Sequence, residues 1–270
     1  MSTITIMLDY EFMRTAFAAA AVVALLAGPV GYFLVLRGQT FAGHALAHVG
    51  FTGATGAVLL GLSPISGLFL LTVLAGLAMG AFGEKLANRD VAIGLVLALA
   101  LGIGLLFLHF FTGFATQATA LLFGNILAVS RQTLVMLLVV SIACILVLAA
   151  ISRPLLFVSL QPELAEAKGV KARTISTVFL VIVAVATAGA AQIVGVLLVF
   201  ALMVGPAAAA QRLTLGVIAG LVISAALALA EAWGGLALAY ATDWPTSFWI
   251  TTLSVGVYVA SLALPKAVHR

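Results

Sequence analysis

Nine apolar runs, each close to the length of a bilayer-spanning helix, leave this chain almost no choice of fold class. They fall at about 14–36, 42–61, 64–83, 91–111, 132–152, 174–190, 192–211, 214–231 and 246–264, divided by charges and by Pro/Gly punctuation. A spanning helix needs about 20 predominantly apolar residues, so nine of them use most of the 270 residues and leave no separate soluble domain. The whole chain, 1–270, reads as one transmembrane domain. Only 7% of its residues are charged, against about 25% in a soluble domain. A water-facing surface cannot be built from so few charges. A soluble enzyme, a disordered chain and a secreted disulfide scaffold are therefore excluded. The runs are continuous rather than alternating, which favours helices over a barrel. The expected fold is all-α, a polytopic helical bundle of about eight to nine spans.

The charges that remain are unevenly placed. If the loop 153–173 faces the cytoplasm, the inner side holds Arg37, Lys85, Arg89, Arg153, Lys168, Lys171, Arg173, Arg212, Lys266 and Arg270. The outer side holds only Arg14 and Arg131, while the eight acids divide evenly. Such an excess of Lys and Arg marks cytoplasmic loops. It puts the C-terminus inside and, with nine spans, the N-terminus outside. The net charge of +4 is thereby explained without nucleic acid, since no basic patch lies beside exposed aromatics. Asp9 and Glu11 precede the first run, where a cleaved signal peptide would be basic. Cys144 is the only cysteine and sits within an apolar run, so it reads as a small core residue. Pro29 and Pro206 lie deep within spans, where kinks or short unwound turns are expected. The boundary at 190–193 is marked only by Ala, Gly and Gln192. The less apolar stretch 112–131 reads as an outer loop with a short surface helix.

Against this background the ionisable residues inside the spans stand out. His44 and His48 are four apart on a predicted helix and so share one face. Two imidazoles at that spacing can grip one divalent ion with help from other ligands. If the span begins near Arg37, His48 falls about 16 Å above the inner end, close to the bilayer midplane. Ionisable groups at that depth are costly and mark function by default. The alternative is a pair of core histidines bonded to backbone carbonyls. His109, near the outer end of the fourth span, is a further possible pathway residue.

Two polar segments lie outside the spans. Pro162, Glu163, Leu164, Glu166 and Gly169 outline a short helix within the longest basic loop. Proline suits a first helical turn, glutamate suits the positive end of the macrodipole, and glycine suits the left-handed stop. Its compact mixed charge fits docking into a groove of a cytoplasmic protein, or else a partnerless interfacial helix. Asp243, Trp244 and Pro245, with Glu231 nearby, are expected at the outer mouth. The acids there either attract a cation or belong to a solvated loop anchored by an interfacial tryptophan. There is no G-x-x-x-x-G-K-[ST] phosphate loop, no H-E-x-x-H and no Ser/His/Asp set, so the chain reads as a transport subunit rather than an enzyme.

Several segments in order resemble the membrane subunit of bacterial zinc/manganese-type ABC importers. They are Gly43-His44-Ala45-Leu46-Ala47-His48, Asp90-Val91-Ala92-Ile93-Gly94, Leu122-Phe123-Gly124-Asn125, Pro162-Glu163-Leu164-Ala165, and Val194 to Leu198 running on to Pro206-Ala207-Ala208-Ala209. The likeness runs from about Gly28 to Asp243. It implies the type II ABC importer permease fold and a homodimer in the bacterial inner membrane. It also implies a cytoplasmic ATP-binding subunit and an extracytoplasmic metal-binding protein as partners, with membrane lipid around. In that picture 162–169 is the coupling helix, His44 and His48 are transient ligands of the cargo, and Asn125 is a possible pathway residue. No cofactor is bound permanently; zinc or manganese is carried. The family typically has an acid where this chain has His44, often Asp where it has Asn125, and Thr-Pro where it has Trp244-Pro245. Imidazole in place of a hard carboxylate tilts the expected cargo toward zinc. The other expectations are a stand-alone metal channel or secondary carrier, the same fold carrying a metal chelate, or, least in keeping with the residues, an intramembrane enzyme.

Overall fold

A computed structural model describes residues 7, 9–82, 89–110, 124 and 126–264. Among these the regular structure is helical throughout. The elements are α1 (Glu11–Leu36), α2 (Thr40–Leu59), α3 (Pro64–Phe82), α4 (Arg89–His109), a 3-10 turn (Ile126–Ala128), α5 (Arg131–Leu160), α6 (Pro162–Ala167), α7 (Ala172–Val194), α8 (Val196–Leu213), α9 (Val217–Thr242) and α10 (Thr246–Ala263). Setting α6 aside, nine helices stand where nine apolar runs were expected. Six of them are long and apolar enough to cross a membrane: α1, α3, α5, α7, α9 and α10. In α2 the two histidines, three threonines and four glycines lower the hydropathy. The apolar parts of α4 and α8, Ile93–His109 and Leu198–Leu213, are shorter than a full span.

Burial separates the bundle into a centre and a periphery. The apolar windows of α7 and α1 are 72% and 67% buried, whereas those of α3, α5 and α10 are 22%, 22% and 17% buried. α1 packs on α9, α8, α5 and α7, and α2 packs on α3, α4, α8 and α7. The peripheral helices present leucine, valine and isoleucine outward, as at Leu95, Leu99, Val139, Leu146, Ile218 and Val222. In lipid that surface needs no partner, because acyl chains are as apolar as leucine. Helix association then depends on close fit. A Cβ on Gly53 would collide with the Gly67 carbonyl, and one on Gly67 with the Gly53 carbonyl, so α2 and α3 cross backbone to backbone.

Three expectations meet the structure here, and the first two are corrected. The break between the sixth and seventh runs falls at Gly195, whose φ is 85°, and not near Gln192, which lies inside α7. Only glycine takes that backbone conformation without strain. α9 does not stop at Glu231 but runs eleven residues further to Thr242, ending on Asp243. The helices continue unbroken through Pro29 and Pro206, without an unwound turn. The expected surface helix in 112–131 falls largely outside the described residues.

The two ends of the bundle differ in charge. Arg37, Arg89, Arg153, Lys168, Lys171, Arg173 and Arg212 lie at or toward the end that carries α6. Arg14 and Arg131 lie at the other, where Arg131 meets Glu11 at 2.6 Å in a well-exposed pair. Arg212 Nε donates to the Ser261 carbonyl at 3.3 Å, which fixes the last turn of α10 at the same end as that of α8.

Candidate functional site

The i, i+4 spacing on α2 does what helical geometry demands. The His44 and His48 rings stand 4.7 Å apart between centroids, with an interplanar angle of 80°. His48 is 7% exposed and His44 is half-buried. The Nδ1 atoms of both are buried and have no hydrogen-bond partner among the described residues. This removes the alternative of core histidines satisfied through Nδ1 by backbone carbonyls. Buried ring nitrogens in native proteins are normally paired, so two orphans side by side point to a ligand.

Aromatic rings enclose the pair. The Phe200 ring of α8 lies 5.1 Å from His44 at 70°, and the Phe41 ring lies 6.5 Å from it. Phe200 was not anticipated, because its residue type is commonplace in a span and its chain separation from His44 hides the contact. Among the described residues no group of three or more His, Cys, Asp or Glu side chains could hold a metal ion. The pair supplies two nitrogen donors, so a metal held here would draw its other ligands from elsewhere.

The other expected pathway residues are not gathered here. His109 is exposed in the last turn of α4, against Phe110. Thr52 of α2 bonds to Ala100 of α4, and Gly56 faces Phe107. That register sets His109 about 15 Å beyond His48 along the helices. Asn125 lies outside the described residues; its neighbour Gly124 packs on the backbone of Val194 and Gly195 at the α7–α8 break.

Glu231 and Asp243 are also separate. Glu231, expected at the outer mouth, is 2% exposed within α9, because the helix does not end there. Asp243 is exposed and closes α9 with φ 58° and ψ 21°. Beside it Trp244 stacks on Trp249 at 5.7 Å, and Trp249 Nε1 donates to Thr242 Oγ1 at 2.9 Å. Asp243, Trp244, Tyr240 and Phe12 border a cavity of about 470 Å³ at this end of the bundle.

At the opposite end α6 forms as its residues dictate. Pro162 occupies the first turn with Glu163, and Gly169 takes φ 77°. The turn is closed by Gly169 N–H to the Glu166 carbonyl at 2.9 Å and Val170 N–H to the Ala165 carbonyl at 3.0 Å. Ala165 is fully buried against the bundle, while Pro162, Glu163, Leu164 and Glu166 are exposed. Leu164, at 46% exposure, is an apolar side chain offered to solvent at a polar end.

Arg37 is a residue that sequence reasoning missed beyond its charge. It follows α1 and precedes α2, and its guanidinium donates to Ser159 Oγ at 2.9 Å and Ser176 Oγ at 2.7 Å. It also covers the Phe179 ring at 5.7 Å. Ser159 ends α5 and Ser176 begins α7, so Arg37 ties both flanks of α6 to the α1–α2 corner.

Comparison with known proteins agrees with this architecture. The chain is 33% identical over 96% of its length to a "Probable metal transport system membrane protein" of Treponema pallidum, covering 98% of that protein. It is 31% identical over 77% of its length to the "Manganese transport system membrane protein MntC" of Halalkalibacterium halodurans, covering 72% of it. The structure of "PsaBC from Streptococcus pneumoniae in complex with Fab" superposes with a TM-score of 0.86 at 25% identity, covering 97% of this chain and 96% of that one. The model of the "ABC 3 transport family" matches residues 9–265, and the chain belongs to that family of multi-pass membrane proteins.

Proposed function

We propose that the chain is the transmembrane permease of an ATP-driven importer of divalent metal ions, with zinc as the favoured cargo. Family membership supports the permease role, and relatives named for manganese or metal transport support a metal cargo. The observation that carries the site is the pair of adjacent, buried, unpartnered imidazoles on α2. Neutral imidazole is a good ligand for zinc and a poor one for manganese, which prefers oxygen. In a homodimer the site would face a second copy. Two cytoplasmic ATP-binding subunits would seat on the exposed face of α6, and an extracytoplasmic metal-binding protein would deliver cargo at the Asp243 end. Motion at α6 would reach the histidines through Arg37, which joins its flanks to the start of α2. The basic end is then cytoplasmic, in the bacterial inner membrane.

The test is uptake into proteoliposomes by the permease assembled with its ATP-binding subunit. His48→Ala is expected to lower uptake at least tenfold without lowering basal ATP hydrolysis. His44→Asp is expected to shift the zinc-to-manganese ratio toward manganese. An unchanged ratio would refute zinc as the favoured cargo. Uptake that needs no ATP-binding subunit would replace the importer with a channel or carrier.

A further inference from the structure

Glu231 is a buried acid that the metal path does not use. It lies about 21 Å from the start of α9 and about 16 Å from its end, and it is 2% exposed. Neither carboxyl oxygen has a hydrogen-bond partner among the described residues. α9 packs on α1, α8 and α10. Ser224 donates to the Gly28 carbonyl and Trp233 to the Phe17 carbonyl, so Glu231 stands level with residues 18–27 of α1, all of them alanine, valine or leucine. The charged residues at the ends of α1 are Glu11, Arg14 and Arg37; α8 has Arg212 at its far end, and α10 has no charge. The tyrosines of these helices, Tyr32, Tyr240 and Tyr258, have no bond to it. Among the described residues no cation faces this acid.

One polar group does face it. A Cβ on Gly235 of α9 would collide with Ile250 of α10, and one antiparallel turn from that contact Glu231 and Ser254, both buried, come level. The Ser254 hydroxyl hydrogen is committed elsewhere, donated to the Ala201 carbonyl of α8 at 2.9 Å. While that bond is made, Ser254 Oγ can only accept on the side of Glu231. An ionised carboxylate also only accepts. Two acceptors facing each other in an apolar interior repel, and an unpaired charge there is costly. A single hydrogen on the carboxyl resolves both problems.

We propose that Glu231 is an intramembrane proton-binding site, its carboxyl hydrogen directed at Ser254 Oγ in a chain that continues to the Ala201 carbonyl. The chain couples α9, α10 and α8. Ala201 directly follows Phe200, whose ring lies against His44, so the far end of the chain is one residue from the wall of the histidine pair. The site holds whether or not that pair carries metal.

Infrared spectroscopy of the full chain in lipid nanodiscs, with isotope-labelled glutamate carboxyls, reads the site directly. Exposed Asp and Glu are ionised at about pH 7.5, so a protonated acid is visible against them. The wild type is expected to show one carboxylic-acid band that persists between about pH 6 and 8. Glu231→Gln is expected to remove it, and Ser254→Ala to move it to higher frequency. A labelled spectrum with no acid band overturns the proposal, as does a band that appears only when sodium is withdrawn, which would make this a sodium site. A band that Glu231→Gln leaves in place also overturns it. Should Glu231→Gln not fold, the labelled wild type with Ser254→Ala still decides: absence of the band, or no shift, overturns the proposal.

Discussion

Asp243 shows how much a single position can constrain the end of a helix. It is the one non-glycine residue with positive φ among the described residues, at 58°. Left-handed backbone costs an ordinary L-residue about 1–2 kcal/mol, and aspartate less because its side chain bonds locally. Asp243→Gly is expected to leave thermal stability in detergent unchanged or slightly raised. Asp243→Val is expected to lower it by about 1–2 kcal/mol, and equal melting temperatures for the two variants would contradict this account. The conformation also shows why residue chemistry was only partly legible in sequence. His44 and His48 could be paired from spacing alone, because four residues make one helical turn. Phe200 and Ser254 could not be paired with His44 and Glu231, since those contacts depend on how helices pack rather than on local periodicity. Glu231 was misplaced for a related reason. A charge normally ends an apolar run, and nothing local says that this one is buried between helices.

Elements were easier to find than their ends. Nine apolar runs became nine helices because an apolar stretch in lipid must satisfy its backbone internally. The break falls at Gly195 and not at 190–193 because backbone freedom decides it, and the polarity of Gln192 is accommodated inside α7. Packing between elements rests on positions such as Gly53 and Gly67, which carry no chemistry and so gave no signal of partnership. At this scale Arg37 is the informative residue. It joins α1, α5 and α7 through Ser159, Ser176 and Phe179. In the assembled transporter Arg37→Ala is expected to cut metal uptake severalfold while the ATP-binding subunit keeps hydrolysing ATP. Arg37→Lys is expected to restore only part of it, because an ammonium cannot fork between two hydroxyls as a guanidinium does. Parallel loss of uptake and hydrolysis would mean that Arg37 supports assembly rather than coupling.

For the whole molecule the decisive property is that its two ends are chemically unlike. The α6 end holds seven of the nine described basic residues, and the other end holds the aromatic cluster and Asp243. Charge asymmetry of this kind orients a polytopic chain during insertion, so the α6 end is expected on the cytoplasmic side. The chain lends itself to a direct test because its single cysteine, Cys144, is buried in α5. In a Cys144→Ala background, Asp243→Cys is expected to react with a membrane-impermeant thiol reagent added to intact spheroplasts. Glu166→Cys, at the exposed face of α6, is expected to stay unlabelled until the membrane is opened. Asp243 and Glu166 lie at opposite ends of the same bundle, so labelling of both from outside would mean mixed orientation. Labelling of Glu166→Cys alone would invert the topology and remove α6 from reach of any cytoplasmic ATP-binding subunit.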